Sequence, residues 1–316
     1  MNVIASTGRD DIALVYVAEL DDGKLVECVE SVQPPIPRED KWVLLVSTMY
    51  GCPIGCAMCD AGGFYQGKPS AAGILEQIDF LVRRRYPDGH VPCKQFKIQF
   101  ARMGEPALNP AVLEALAQLP GRYAAPGLMP SLSTVAPAAA GRFFERLLEI
   151  KREHYGGGRF QFQFSLHTSD DRLRDALIPV RKWSLAEMAA YGERFYEPGD
   201  RKITLNFALA QGNPLEAEAL LVHFSPGKFL VKITPLNPTY RAAENGLASH
   251  VNPSNPDPRD ETVEALRRAG YEVIVSIGEL EENQVGSNCG QYLRAHLEAG
   301  EKLEQGYTYP VIDARC

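Results

Sequence analysis

The sequence predicts an α/β fold, a partial (β/α)6 barrel of the TIM type with a small N-terminal β-hairpin extension and a C-terminal extension. Strand-like and helix-like segments alternate through most of the 316 residues, which is typical of a parallel sheet covered by helices. Six or seven such units are too few for a closed barrel of eight strands. Polar and cysteine-containing motifs follow the predicted strands, where the βα loops of such a fold gather on one face.

The N-terminal extension is predicted to be a hairpin. Residues 12–20 and 24–32 alternate apolar and polar side chains on either side of the turn sequence Asp21-Asp22-Gly23. The proline-rich stretch 34–37 then interrupts regular structure. We therefore assign residues 1–40 to the hairpin extension, 41–278 to the barrel and 279–316 to the C-terminal segment.

The barrel elements are predicted from short β-branched runs and from helical patterns between them. The first strand, 42–48 (WVLLVST), is almost entirely apolar, as expected for a strand buried on both faces. The later strands are predicted at 94–101, 130–134, 160–166, 202–209, 229–234 and 271–277. The helices are predicted at 71–85, 110–119, 138–152, 184–195, 214–222 and 259–269.

The composition is that of an ordinary globular protein, with 45% apolar and 23% charged residues. No run approaches the roughly 20 apolar residues of a membrane span, and the N-terminus lacks a secretory or transit signal. Seven cysteines, an odd number with three clustered, fit a reducing cytosol. We expect a cytoplasmic, monomeric protein with no membrane partner. A net charge of −7 argues against a protein that grips long RNA, unless a basic patch is present.

Three cysteines, Cys52, Cys56 and Cys59, lie within eight residues and predict an iron–sulfur site. Thiolates are the ligands that iron–sulfur clusters require, and three of them leave one iron open to a small molecule. A zinc site normally takes a second pair of ligands, which the sequence does not offer, and three adjacent cysteines cannot all form disulfides with one another. Zinc and a chance clustering of cysteines remain the alternatives.

The Cys-x3-Cys-x2-Cys spacing resembles the signature of radical S-adenosylmethionine (SAM) enzymes. More narrowly, the chain resembles the RlmN/Cfr family, which methylates an adenine carbon in RNA, over roughly residues 10–300. The resemblance implies a [4Fe–4S] cluster on Cys52, Cys56 and Cys59, with SAM on the open iron. It also implies an external one-electron reductant such as flavodoxin or ferredoxin. The motifs that carry it are Met103-Gly104-Glu105-Pro106, Ser131-Leu132-Ser133-Thr134, Ser165-Leu166-His167, Pro235-Leu236-Asn237-Pro238 and Asn288-Cys289-Gly290-Gln291.

The same resemblance assigns the residues that bind SAM. Glu105 would accept the SAM amino group, and Gly104 would let the backbone approach closely. The other residues assigned to SAM are Ser133, Ser165, Leu166, His167 and Asn237. From the residues alone, a solvated turn glutamate, helix-capping serines and a turn asparagine remain open as alternatives.

Cys289 is the candidate catalytic residue, because it lies in a glycine-flanked loop and not in an apolar strand. The resemblance implies that one SAM methylates this thiol and that a radical from a second SAM abstracts hydrogen from the methyl group. The carbon radical then adds to an electron-poor ring carbon. Glu27 matches the family's proposed acid/base position, although its distance to Cys52 differs slightly, and a surface carboxylate is the alternative.

The sequence also departs from the family. In the family, a second cysteine resolves the covalent adduct and lies seven residues before the first cluster cysteine. In this chain Leu45 occupies that position. An acidic segment, 277–282, replaces the family's Arg-rich turn, and the sequence shows no counterpart of the N-terminal RNA-binding domain. These departures predict a changed substrate, a nucleoside-like or other small molecule or an RNA held by few phosphates.

Three hypotheses follow. The first is a radical SAM methyltransferase that passes a methyl-derived carbon through Cys289 to an unactivated sp2 carbon. The second is a radical SAM enzyme whose 5′-deoxyadenosyl radical acts directly on a small molecule or peptide, with Cys289 as hydrogen donor or anchor. The third is a non-catalytic iron–sulfur sensor or RNA-binding protein.

Overall fold

A computed structural model describes residues 1–252, 254 and 260–314. These residues form one mixed sheet of eleven strands, with helices packed on it. In chain order the strands are β1 (Asn2–Arg9), β2 (Ala13–Glu19), β3 (Leu25–Ser31), β4 (Lys41–Val46), β5 (Gln95–Phe100), β6 (Leu128–Thr134), β7 (Gln161–Ser165), β8 (Ile203–Ala208), β9 (Phe229–Thr234), β10 (Val273–Val275) and β11 (Val311–Asp313).

Ten α-helices lie among the described residues, and none of them is long and apolar enough to cross a membrane. They are α1 (Ala71–Arg85), α2 (Ala111–Gln118), α3 (Gly141–His154), α4 (Asp171–Leu177), α5 (Leu185–Phe195), α6 (Ala217–Leu221), α7 (Tyr240–Glu244), α8 (Glu261–Arg268), α9 (Leu280–Val285) and α10 (Leu293–Glu298). Residue 259, where the sequence predicted the start of α8, lies outside the described residues.

The predicted fold class is confirmed. Strands β4 to β10 pair in parallel and β1 to β4 pair antiparallel, so a largely parallel sheet follows N-terminal hairpins. Within the described chain the sheet order runs from β10 at one end to β11 at the other without closing. The seventh parallel strand, β10, lies within the predicted strand 271–277 but is only three residues long.

The parallel strands have two chemically different faces. The outward side chains of β5, β6 and β7, for example Phe96, Leu132 and Phe164, are buried in the main hydrophobic cluster with the helices. The alternate side chains, such as Gln99, Ser133 and Gln163, are polar and partly exposed. Since side chains alternate along a strand, the polar residues face the inside of the barrel. The helix-covered outer face holds the core, and the interior is left for chemistry.

The N- and C-terminal extensions meet. Strand β1 was not predicted, and it pairs both with β2 and with β11, where Ala5 stands opposite Asp313. Val285 of α9 and Leu293 of α10 pack with Val15 and Val17 of β2 in a second apolar cluster. The segment after residue 279 is therefore held against the N-terminal hairpins, which places the Cys289 loop.

Candidate active site

The three clustered cysteines form a compact loop after β4. The Cys52 amide donates to the Ala61 carbonyl (2.8 Å), and the Cys59 amide donates to the Cys56 carbonyl (3.2 Å). Gly62 packs so closely that a Cβ there would lie 2.9 Å from the Gly55 Cα. The turn therefore depends on glycine and directs the cysteines to one side of the loop.

The Cys289 loop lies directly on this cysteine loop. The Asp60 amide donates to the Gly290 carbonyl (2.9 Å), and the Asn237 side-chain amide donates to the Cys289 carbonyl (2.9 Å). A Cβ on Gly290 would stand 3.8 Å from the Cys59 Cα, so the two backbones nearly touch. The fold thus brings together cysteines that are far apart in the sequence, and it leaves the Cys289 side chain exposed to solvent.

The four thiols share one electrostatic environment. Burial raises the pKa of Cys52 to about 12, although the backbone N–H groups of Ile54, Glu105 and Gly55 favour its thiolate. Burial also raises the pKa of Cys56 and Cys59, and the neighbouring thiols, Cys289 included, raise both further. Thiols held this way ionise only beside a compensating cation. A cationic iron cluster would supply it, so the donor set fits the expected [4Fe–4S] group.

No group of three or more His, Cys, Asp or Glu side chains is spaced for one metal ion in the part of the chain that the structure describes. A cluster spreads its thiolates over separate irons, so its ligands need not converge as zinc ligands do. The spacing of the three thiols is therefore compatible with a cluster. All six described cysteines, Cys28, Cys52, Cys56, Cys59, Cys93 and Cys289, are free thiols.

Glu105 is a buried carboxylate beside the cysteine loop. Its oxygens accept from the Thr134 hydroxyl (2.5 Å) and from the amides of Val135 (2.9 Å) and Ala107 (3.0 Å). Burial nevertheless raises its pKa to about 7, because these three hydrogen bonds compensate the loss of solvent only in part. Gly104 has a φ of +100° and a Cβ there would meet the Met49 side chain at 2.5 Å, so glycine is required before Glu105. An ammonium group would complete the site.

The strand-end residues lie where the sequence predicted. Ser133 is the last residue but one of β6 and Ser165 the last of β7, both partly exposed on the inner face, and Leu166 is fully buried. His167 adopts a φ of +69°, and its Nδ1 accepts from the Ala208 amide (3.1 Å), which leaves Nε2–H as a donor. Burial, and to a lesser extent Arg174, lowers its pKa to about 4, so the ring is neutral. These contacts give His167 a neutral donor, and among the described residues neither serine hydroxyl has a hydrogen-bond partner.

Glu27 lies deep in the molecule and is not a surface carboxylate, since it is 1% exposed. It accepts from Arg102 Nη2 (2.8 Å) and from the amides of Leu293 (3.3 Å) and Arg294 (2.9 Å). Arg102 in turn donates to the carbonyls of Gly286 (2.9 Å), Ser287 (3.0 Å) and Asn288 (3.1 Å). Arg102 and Glu27 thus bind the backbone on both sides of Cys289. The acid/base role of Glu27 stays a prediction.

Sequence reasoning missed two of the residues that assemble this site. Arg102 precedes the Met103-Gly104-Glu105 motif, and the signal was a charged residue between a strand and a glycine turn. Asp60 follows Cys59 directly, and its carboxylate accepts from the amides of Tyr240 (3.2 Å) and Arg241 (2.9 Å). Both residues act on distant backbone, which no local pattern reveals.

Leu45, at the position of the family's second cysteine, packs in the apolar cluster with Val29 and Val43. Cys28 is fully buried on the opposite side of β3 from Glu27, against the main core. Neither position therefore offers Cys289 a second thiol.

Curated relatives resemble this chain along most of its length. A probable dual-specificity RNA methyltransferase RlmN of Desulfitobacterium hafniense (strain DSM 10664 / DCB-2) is 30% identical over 289 residues, covering 89% of this chain and 75% of the relative. A protein of the same description from Thermus thermophilus is 28% identical over 305 residues, covering 92% of this chain and 77% of the relative.

Among solved structures, a radical SAM methyltransferase from Sphaerobacter thermophilus matches with a TM-score of 0.70 and 22% identity, over 92% of this chain and 80% of that one. At this identity the likeness shows the fold. No protein-family model matches the chain. The extent of the sequence relationship, together with the shared fold, shows that this chain belongs to the RlmN family of radical SAM methyltransferases.

Proposed function

We propose that this enzyme transfers a methyl-derived carbon to an unactivated sp2 carbon, with Cys289 as the methyl carrier. The observation that carries the proposal is the contact between the Cys289 loop and the cysteine loop, through Asp60 and Gly290. A carrier thiol must lie where SAM is bound, and Cys289 is both next to Cys59 and exposed to solvent. The substrate is a nucleoside-like small molecule or an RNA, the latter being the substrate class named for the relatives.

The cofactors divide the chemistry with the protein. When bound, the cluster and SAM supply a methyl group and a 5′-deoxyadenosyl radical. Cys52, Cys56 and Cys59 would hold the cluster, and the Glu105 carboxylate would receive the SAM ammonium group, a cation that would favour its ionised form. Ser133, Ser165 and the His167 Nε2–H would hydrogen-bond polar groups of SAM from the inner face, with Leu166 packed behind them.

Cys289 would take the methyl group. That methyl group would then lose one hydrogen atom to the 5′-deoxyadenosyl radical, and its carbon would be presented to the substrate. Asn237 holds the Cys289 carbonyl (2.9 Å), so it would orient the carrier while facing SAM. Arg102 and Glu27 fix the backbone on the two sides of the loop. A side chain that carries first the methyl group and then the substrate in each turnover needs a backbone held in one position.

A second function, direct radical chemistry on substrate, is favoured by one observation. Leu45 is apolar and packed, so no thiol stands ready to resolve a covalent adduct with Cys289. In that case Cys289 would give a hydrogen atom or anchor the substrate. A non-catalytic sensor is disfavoured, because the chain belongs to a family of methyltransferases.

One experiment separates these functions. Cluster-reconstituted protein is incubated anaerobically with SAM and reductant, and the peptide containing Cys289 is mapped by mass. The carrier mechanism predicts a methyl adduct on Cys289 and release of 5′-deoxyadenosine. In Cys289→Ala the same peptide should carry no added methyl mass. Deoxyadenosine with unmodified Cys289, also in protein purified from cells, would favour direct radical chemistry. An intact cluster that cleaves no SAM would favour the sensor.

A further inference from the structure

The inside of the barrel is polar and reachable by solvent, unlike its apolar outer face. Inward side chains that are partly exposed occur on five neighbouring parallel strands, whereas their outward neighbours Phe100, Phe164 and Val231 are fully buried. These inward residues are Gln99, Ser133, Gln163, Ser165, Ala208, Lys232 and Thr234. The interior therefore offers solvent-accessible hydrogen-bonding groups to a polar molecule.

Two lysines project into this interior without a partner. Lys97 lies on β5 between the outward residues Phe96 and Ile98, and Lys232 lies on β9 between Val231 and Ile233. Lys97 is only 8% exposed. Within the described chain, neither ammonium group donates a hydrogen bond or forms an ion pair.

Another buried lysine shows how this protein otherwise treats such a group. Lys151 of α3 is fully buried, and its Nζ pairs with the carboxylates of Asp200 (2.5 Å) and Glu197 (3.0 Å). Buried charges in proteins are normally paired in this way. The absence of a partner at Lys97 and Lys232 within the described residues is therefore exceptional for this chain.

Burial and neighbouring cations disfavour the charged form of both interior lysines. Burial lowers the pKa of Lys97 well below its usual range, and Lys232, Lys41 and Arg201 lower it further. Burial and Lys41 likewise lower the pKa of Lys232, while Cys289 and Glu282 oppose this. Glu282 accepts from the Ser31 hydroxyl (2.9 Å), and burial raises its own pKa while Lys232 opposes this.

We propose that Lys97 and Lys232 form an anion-binding subsite inside the barrel, which takes the phosphate or carboxylate group of a small-molecule substrate. A bound anion would restore the ammonium form that burial disfavours, as the carboxylates do for Lys151. Lys232 and Cys289 each affect the pKa of the other, so Lys232 would hold the anion on the Cys289 side of the pair. The inference rests on the proposed function for the identity of the reacting carbon, but anion binding itself does not.

The experiment uses cluster-reconstituted protein with SAM in a low-salt chloride buffer. Inorganic phosphate and malonate are titrated separately by calorimetry, into wild type, Lys97→Met, Lys232→Met and the control Lys94→Met. Lys94 is exposed and pairs with Asp40, so its replacement leaves the interior untouched. We expect wild type and Lys94→Met to bind one of the anions, and each interior variant to bind it at least about tenfold more weakly. The preferred anion distinguishes a phosphorylated substrate from a carboxylic acid.

Thermal unfolding supplies a second readout. Lys97→Met removes an unpaired buried amine, so without phosphate or malonate its Tm should equal or exceed that of wild type. The increase in Tm that phosphate or malonate gives wild type should be absent in this variant. A folded Lys97→Met with lowered Tm and unchanged anion affinity would overturn the proposal. Lys97→Gln replaces it if the methionine variant does not fold.

Two further outcomes would overturn the inference. An equal loss of SAM affinity in both interior variants would assign the lysines to the SAM carboxylate. Tight binding of a short RNA that displaces phosphate, and that is weakened in both variants, would replace the small molecule with RNA. Methylation of Cys289 needs SAM and no substrate anion, so its absence would refute the carrier mechanism while leaving anion binding intact.

Discussion

Arg102 and Glu27 show how much one buried pair contributes to this site. Their side chains are essentially inaccessible to solvent, and their contacts go to the backbone around Cys289. Replacing Arg102 with Met leaves the Glu27 carboxylate buried and unpaired. We expect urea unfolding to show a loss of about 3–5 kcal/mol in the free energy of unfolding.

The exposed pair Arg194–Glu145 provides a control for this prediction. Arg194→Met should cost about 0–1 kcal/mol, because solvent screens the pair. The variant Glu27→Gln keeps the shape of the side chain but cannot transfer a proton. It therefore distinguishes a role in positioning the Cys289 loop from a role as acid or base. If Glu27 only holds the loop, Cys289 methylation should weaken in Glu27→Gln without a change in its pH profile.

His167 predicts a pH dependence of stability. Its pKa is lowered in the folded protein from 6.5 to about 4, so between these values the unfolded chain binds more protons. Stability should therefore fall as pH drops from about 6.5 to 4, by on the order of 3 kcal/mol. Denaturation at several pH values in wild type and His167→Asn measures this, since asparagine tolerates the positive φ. An identical slope in the two proteins would contradict the assignment.

At the scale of elements, the contact between the two loops depends on Gly290. Its φ is +87°, and a Cβ there would lie 3.2 Å from the Met58 carbonyl oxygen. Gly290→Ala should push the Cys289 loop away from the cysteine loop. We expect iron content to be retained while the methylated fraction of Cys289 falls at least about tenfold, measured by peptide mass.

Gly246 is the matched control, with a φ of +63° and open space around its Cβ position. Gly246→Ala carries a similar backbone strain of about 1 kcal/mol without a steric contact. If it reduced Cys289 methylation as much as Gly290→Ala does, the contact between the loops would not be the cause.

The sequence was informative where an element's own residues determine it. Helices α1 and α5 begin at the serine caps Ser70 and Ser184 and run through patterned apolar faces, so their bounds were predicted closely. Strand β1 and the three-residue β11 were missed, because their pairing joins the two ends of the chain and β11 is too short to show a pattern. Arg102 and Asp60 were missed for the same reason, since their partners are distant backbone groups.

At the scale of the whole molecule, charge is distributed in a way that the net value of −7 conceals. Basic residues at the end of α1 are engaged: Arg85 pairs with Glu30 and Asp10, and Arg84 lies near Glu30. By contrast, Lys97 and Lys232, which have no carboxylate partner among the described residues, lie inside the barrel. The basic groups of this pair therefore face the inside of the barrel and not an extended surface.

This distribution predicts weak and nearly salt-independent binding of long RNA. A protein that contacts 6–10 phosphates loses about 10³–10⁵ in affinity between 50 and 200 mM salt, because released counterions oppose binding. For this chain we expect a loss below about tenfold over the same range, measured by fluorescence anisotropy with a labelled RNA of about 30 nucleotides. The RlmN relative from Thermus thermophilus serves as the comparison. A steep dependence of affinity on salt concentration in this chain would reveal an RNA-binding face and favour RNA as its substrate.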